Sequence, residues 1–182
     1  MTRRDVLRIL DRLDRSSIRV WLDGGWGVDA LLGEVTRRHA DLDLVLALDD
    51  VDRMCEILAG MGYRLVRGVP DSNFVLRDPQ GREIDVHPVR FDAAGDGIYR
   101  MENGEDWVFP AGAFLGTGRI GSRAVSCLTA EVQMVDHATG YEPGPTDFAD
   151  MRLLHERLGT PLLPPYDAVD PATDSAAGGR DP

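Results

Sequence analysis

The sequence lacks most of the short signatures that betray a chemistry by themselves. No GK[ST] triplet occurs, so there is no P-loop, and the glycines follow no GxGxxG spacing. His39, His87, His137 and His155 never fall at zinc-ligand spacing such as HExxH. Cys55 and Cys127 sit among apolar residues with no CxxC or Cys/His pattern, as expected for reduced core residues of a cytoplasmic protein. No nucleophile triad is evident, which speaks against a hydrolase. No run approaches the roughly 20 apolar residues of a membrane span. The opening stretch MTRRDVLRILDRLDRSS is charged throughout, unlike a signal peptide. No internal repeat is visible.

What is there is an ordinary soluble composition, 43% hydrophobic and 28% charged over 182 residues, enough to bury a real core. The net charge of -11 argues against a stable nucleic-acid partner and suits a cationic small molecule or a metal ion. Residues 1-160 read as a single domain, with a core over about 1-110 and a helical C-terminal part over about 111-160. The tail, 161-182, is rich in Pro, Gly, Ala and Asp and is expected to be disordered.

Asp5 to Asp14 has Val6, Ile9, Leu10 and Leu13 at helical spacing. Ile18 to Leu22 is a strand. Gly24, Gly25 and Gly27 make a turn, Trp26 to Leu32 a helix, and Gly33 its end. Asp41 to Ala47 is a second strand, apolar enough to be covered on both faces. A helix capped by Asp49 or Asp50 follows, with Val51, Met54, Cys55 and Leu58 inward. Tyr63 to Val66, Asn73 to Arg77 and Arg82 to His87 are strands, the last two joined by the hairpin turn Asp78-Pro79-Gln80-Gly81. Phe91 to Gly104 reads as a loop and Trp107 to Phe109 as a short strand. The Gly-rich stretch to Arg123 suggests another hairpin. Thr129 and Thr146 are expected to cap two final helices. The order predicts an α/β (α+β) fold: a mixed β-sheet flanked by helices, with a small helical C-terminal part.

Asp41 and Asp43 are two apart on a strand, so both side chains leave the same face. Such carboxylates repel unless a cation lies between them, and hard oxygen ligands suit Mg²⁺. A bare Asp-x-Asp is more often a solvated strand end; here the context matters. Glu83, Asp85 and His87 share one face of the strand after the hairpin. If that strand lies beside Asp41 to Leu46, Asp85 becomes a third carboxylate. Three carboxylates can hold two metals, and one of them can act as general base on a hydroxyl. Gly24 and Gly25 open a helix whose amides favour phosphate oxygens. Arg37, Arg38 and His39 place cations just before Asp41.

Together, WLDGGWGVDALLG, the run Arg37-x-His39-x-Asp41-x-Asp43 and GREIDVHPV resemble the polymerase-β-type nucleotidyltransferase superfamily. More narrowly they resemble small antibiotic nucleotidyltransferases of the lincosamide type, and more distantly aminoglycoside 2″-adenylyltransferases. The resemblance covers roughly residues 5 to 158. It implies transfer of a nucleoside monophosphate, usually AMP from ATP with another nucleoside triphosphate as the alternative, to a hydroxyl of a small antibiotic. It further implies that Asp41, Asp43 and Asp85 hold Mg²⁺, with Asp85 as ligand or base. By the same resemblance, Gly24, Gly25 and Arg37 meet the triphosphate. His39 matches a family position, with orientation of Asp41 as one reading. In-line attack at the α-phosphorus asks for cations, positioning and a base, and no protein nucleophile. The family analogy also admits a homodimer. Gly68 to Asn73 and Phe91 to Asp106 depart from the pattern, and those loops would face the acceptor. There, Glu102, Glu105 and Asp106 could form an acidic wall for a cationic antibiotic. Other acceptors remain open: an aminoglycoside, another natural product, or tRNA or protein as in a toxin-type enzyme. A catalytically silent binding module is a third reading.

Overall fold

The computed structural model describes residues 1–101, 103–139 and 141–168. Helix α1 (Arg3–Asp14) is capped by Thr2, whose hydroxyl accepts from the Asp5 amide while Asp5 reaches back to the Thr2 amide. Its Val6, Ile9, Leu10 and Leu13 are buried, as their spacing predicts. Then follow β1 (Val20–Asp23), α2 (Gly24–Leu32), β2 (Asp43–Ala47) and α3 (Val51–Ala59). Next come β3 (Arg64–Gly68), β4 (Phe74–Arg77), β5 (Glu83–Phe91), β6 (Gly97–Arg100) and β7 (Asp106–Phe109). A hairpin, β8 (Thr117–Ile120) and β9 (Arg123–Ser126), leads to α4 (Ala130–Ala138) and α5 (Pro145–Leu158).

The first seven strands form one mixed sheet in the order β1-β2-β5-β4-β3, with β6 and β7 added along the far end of β5. Only β2 and β5 run parallel among these pairs; the others are antiparallel. Alternation then divides the side chains. Leu22, Leu44, Leu46, Ile84 and Val86 face a core shared with α1 and α3. Trp21, Val45 and Val89 face the other way, against Phe109, Phe114 and Leu128. A third cluster joins α2, α4 and α5 through Val28, Met134, Met151 and Leu154. Both cysteines are free; Cys127 is buried and Cys55 half-buried.

Several elements differ from the sequence expectation. Asp41 and Leu42 precede β2, although Leu42 still bonds to β5 through its amide (3.1 Å to Glu83 O) and its carbonyl (2.9 Å from Asp85 N). Gly24 and Gly25 are not a turn before the helix but its first residues, with Asp23 as N-cap accepting from the Gly24 amide at 2.8 Å. Phe91 to Gly104 is not a loop. Strand β5 runs on to Phe91, and β6 pairs back on it around a turn in which Asp92 accepts from Ala94 and Asp96. The Gly- and Asp-rich composition belongs to that turn and hides the Ile98-Tyr99 strand inside it. Helix α5 starts at Pro145 rather than behind Thr146, because proline suits the first helical position. Thr129 does precede α4, but without a side-chain cap bond.

The segment after Gly159 packs further than its composition suggests. Tyr166 is 1% exposed, stacks edge-on with Phe148 at 5.0 Å, and donates its hydroxyl proton to the His137 carbonyl. One buried aromatic holds down a Pro-rich stretch that propensity alone would release. Residues 169–182 of the expected disordered tail lie outside the described residues. Among the described residues, no helix is long and apolar enough to cross a membrane.

Candidate active site

Register places the chemistry. Asp23 of β1 stands opposite Asp43 of β2, and Asp43 opposite Asp85 of β5, so three carboxylates line up across three adjacent strands on one face. Like charges side by side on a sheet destabilise it. Asp41, just before β2, lines the same cavity. Burial first, and then the charges of Asp41, Asp23 and Asp85, push the Asp43 carboxyl well above the ordinary range, against the pull of Arg37. Such crowding calls for a cation.

The donor set fits one. Ligand atoms of Asp43, Asp85 and His87 all lie within 4.8 Å of one another. The sequence reading had Asp41, Asp43 and Asp85 as that set; geometry brings His87 into the tight cluster and leaves Asp41 beside it. His87 follows Asp85 by two residues, so the strand period that revealed Asp85 also carried this signal. Asp85 is held in place by Asn73, whose amide donates to Oδ1 at 2.6 Å, and by Arg67 at 3.5 Å from Oδ2. Glu83, on the same face but further back, pairs with Arg77 and does not line the cavity.

The glycines of α2 are required by close approach. Gly24 has φ +54°, and a Cβ there would collide with the Asp43 carboxylate; at Gly25 it would collide with Arg37 Nη2 and His39 Nδ1. Gly24 and Gly25 line the cavity beside Asp41 and Asp43, so the positive end of this helix start lies at the carboxylates, with the Gly24 amide taken by Asp23. Arg37 also lines it, held by a bidentate pair to Asp150 of α5 (Nε–Oδ1 3.0 Å, Nη2–Oδ2 2.7 Å). Burial alone would lower its pKa, but the Asp150 pair outweighs burial and raises it. The chain contains no lysine, so the side-chain cations here are arginine and histidine. His39, expected among the cofactor-binding residues, is not on the cavity wall: it is 5% exposed, with Nε2 at Asp29 Oδ2 and its ring 4.6 Å from Trp26. Asp29, ten residues earlier on α2, takes up His39 Nε2, and Nδ1 lies against Gly25.

Across the cavity, of about 540 Å³, stand residues that the sequence reading did not single out. Asp136 of α4 keeps both carboxylate oxygens buried with no hydrogen-bond partner. Burial first, then the charge of Asp23, pushes its carboxyl up to about 8, with the Trp107 side chain opposing. Tyr141 donates to Asp147 at 2.9 Å, and His137 Nε2 lies 3.8 Å from the same carboxylate. Tyr99 and Trp107 close this side. Of the expected acidic wall of Glu102, Glu105 and Asp106, the two described residues do not form this side. Glu102 lies outside the described residues, Asp106 pairs with Arg100, and neither Glu105 nor Asp106 lines the cavity. Asp23, Asp136 and Asp147 supply the acidity instead.

This geometry has relatives. A lincosamide resistance protein of Staphylococcus haemolyticus is 29% identical over 154 residues, which are 85% of this chain and 94% of that protein. A 2''-aminoglycoside nucleotidyltransferase of Escherichia coli is 28% identical over 130 residues, 71% of this chain and 69% of that protein. Among solved structures, the lincosamide antibiotic adenylyltransferase LnuA, determined with lincomycin bound, superposes with a TM-score of 0.75 at 28% identity, over 85% of this chain and 96% of its own. ANT(2")-Ia, in complex with adenylyl-2"-tobramycin, shares the fold at a TM-score of 0.68 and 22% identity, over 86% of this chain and 89% of its own. Residues 5–154 match the aminoglycoside-2''-adenylyltransferase family, so the chain belongs to that family and is a nucleotidyltransferase.

Proposed function

We propose that the protein transfers a nucleoside monophosphate, AMP from ATP, to a hydroxyl of a small cationic antibiotic, with Mg²⁺ as cofactor. A lincosamide is the first acceptor to consider, since similarity to the lincosamide resistance protein runs over 94% of that protein. The observation that carries the reading is the row Asp23–Asp43–Asp85, which sets crowded carboxylates against the glycine start of α2.

Asp41 and Asp43 would supply the oxygen ligands that Mg²⁺ takes, with Asp85 and His87 completing the cluster; bound there, Mg²⁺ would offset the phosphate charge. The rest is the work of the chain. The α2 start at Gly25, behind the Asp23-capped Gly24, and the Arg37 guanidinium bind triphosphate oxygens. The acceptor hydroxyl attacks the α-phosphorus; the new O–P bond forms as the bond to pyrophosphate breaks. Its proton passes to the hairpin strand, where Asp85 is the base, with His87 Nε2 3.9 Å from its Oδ1. Asp136 and Asp147 hold the acceptor, and an ammonium group placed beside the buried Asp136 carboxyl would draw it into its ionised form. The same feature keeps aminoglycosides as the second candidate class.

The test is to incubate the protein with MgATP and a panel of lincosamides and aminoglycosides. The expected result is a mass gain of one nucleotide on an acceptor and release of pyrophosphate. No adduct on any panel member overturns the antibiotic reading.

A further inference from the structure

Asp29 lies on α2 four residues beyond Gly25, so the two share one face of the helix. It is 1% exposed and does not line the cavity. Its carboxylate collects three donors from one short segment. The Thr36 amide (3.0 Å) and hydroxyl (2.6 Å) both reach Oδ1, and His39 Nε2 reaches Oδ2. Arg37 sits between these two anchors, and the segment runs directly into Asp41. The His39 ring lies along α2, with Nε2 at Asp29, Nδ1 over Gly25 and its face against Trp26. Apart from Trp26, little apolar packing holds this segment among the described residues, since Val35 is 45% exposed and Arg38 and Ala40 are exposed; its other ties are the Arg37–Asp150 pair and the Met1 ammonium at the His39 carbonyl. A buried carboxylate is costly unless fully paired, so a pairing aimed wholly at one loop marks that loop as something to be held.

We propose that Asp29 and His39 are positioning residues. They form a buried clamp that fixes residues 36–41 to the first turns of α2 and so sets the Arg37 guanidinium and the Asp41 carboxylate at the nucleotide end of the cavity. The proposal rests on the nucleotidyl-transfer reading above. It gives His39 a role through its neighbours and not through the ligand, and it makes Asp29 a determinant of nucleotide affinity.

The test combines calorimetric MgATP titration with steady-state kinetics for wild type, Asp29→Asn, Thr36→Val, His39→Ala and His39→Gln. Loss of a group that orients a ligating side chain costs about 10- to 100-fold, so the MgATP Kd and nucleotide KM should rise by about tenfold or more in Asp29→Asn and His39→Ala. The acceptor KM should stay unchanged, because the clamp lies on the nucleotide side alone. His39→Gln keeps an N–H able to reach Asp29 and should recover most of the affinity. Thr36→Val, which removes one hydroxyl donor and keeps the volume, should raise the nucleotide KM without unfolding the chain, even if Asp29→Asn folds poorly. An unchanged MgATP Kd in folded Asp29→Asn or in Thr36→Val overturns the clamp. Equal losses in His39→Ala and His39→Gln overturn it in favour of direct ligand contact by the ring. If wild type itself binds no MgATP, the nucleotidyltransferase reading fails first and the clamp with it.

Discussion

On the sheet side of the cavity, Asp85 comes with Asn73 and Arg67 as partners and Arg37 with Asp150, while His39 and Asp29 pair behind the wall. On the helical side, Asp136 keeps two buried oxygens with no hydrogen-bond partner. The first wall is set before any ligand arrives, as transfer to a fixed phosphorus requires. On the second, Asp147 is held by Tyr141 and Gly144, and Asp136 is left short of partners, which suits the capture of a polar, positively charged molecule. Asp43 is the exception on the sheet side, crowded by like charge instead of paired, and it marks where a cation belongs.

The comparison can be broken at several strengths. The largest effect is expected from the sheet wall. Asp43→Asn and Asp85→Asn should each lower turnover by at least about 100-fold, through the metal and the base respectively. Asp43→Asn should not lower the melting temperature of the metal-free protein, because it removes like-charge crowding. Near wild-type turnover in Asp43→Asn, measured by pyrophosphate release, would remove the metal assignment.

The helical wall should respond differently. A hydrogen bond to a charged group is worth about 1.5–3 kcal/mol, so Asp136→Asn should raise the acceptor KM by about ten- to a hundredfold and leave the nucleotide KM alone. The same variant has a signature in stability. The Asp136 carboxyl is pushed up to about 8 from an ordinary 3.8, so the folded chain keeps a proton that the unfolded chain loses. Stability therefore falls as pH rises between about 4 and about 8, and Asp136→Asn should flatten that fall. Denaturant melts across this range decide it; an unaltered pH slope in the variant would contradict a buried, unpaired carboxylate. The smallest effect is expected at Glu83, on the same strand face as Asp85 but paired with Arg77 away from the cavity. Exposed pairs contribute little, about 0–1 kcal/mol, so Glu83→Gln should change neither KM by more than about twofold.

The two walls were also unequally legible in the sequence. The meeting of Asp43 and Asp85 could be read because strand alternation converts spacing into facing, whereas Asp41, which precedes β2, reaches the same cavity from outside the strand. The mixed sheet, the Asp78–Gly81 hairpin and the terminal helices followed from similar local rules. His87 shares the strand face of Asp85, but histidine two residues from a carboxylate is weak evidence alone. Asp136 was not legible: a single acid on a helix gains meaning only when β1 and β7 bring Asp23 and Trp107 against it. Asp29 was hidden likewise, as its three donors come from the next loop. Strand β6 was masked by the composition of the turn that precedes it.

The most direct measurement follows a label through one turnover. Wild type is mixed with MgATP labelled at either the α- or the γ-phosphate and with an acceptor that gains a nucleotide in the panel screen. The account predicts that α-label moves to the acceptor and γ-label leaves as pyrophosphate, with no label retained on the protein. Transfer of γ-label to the acceptor with ADP formed, or α-label held covalently on the protein, would contradict it.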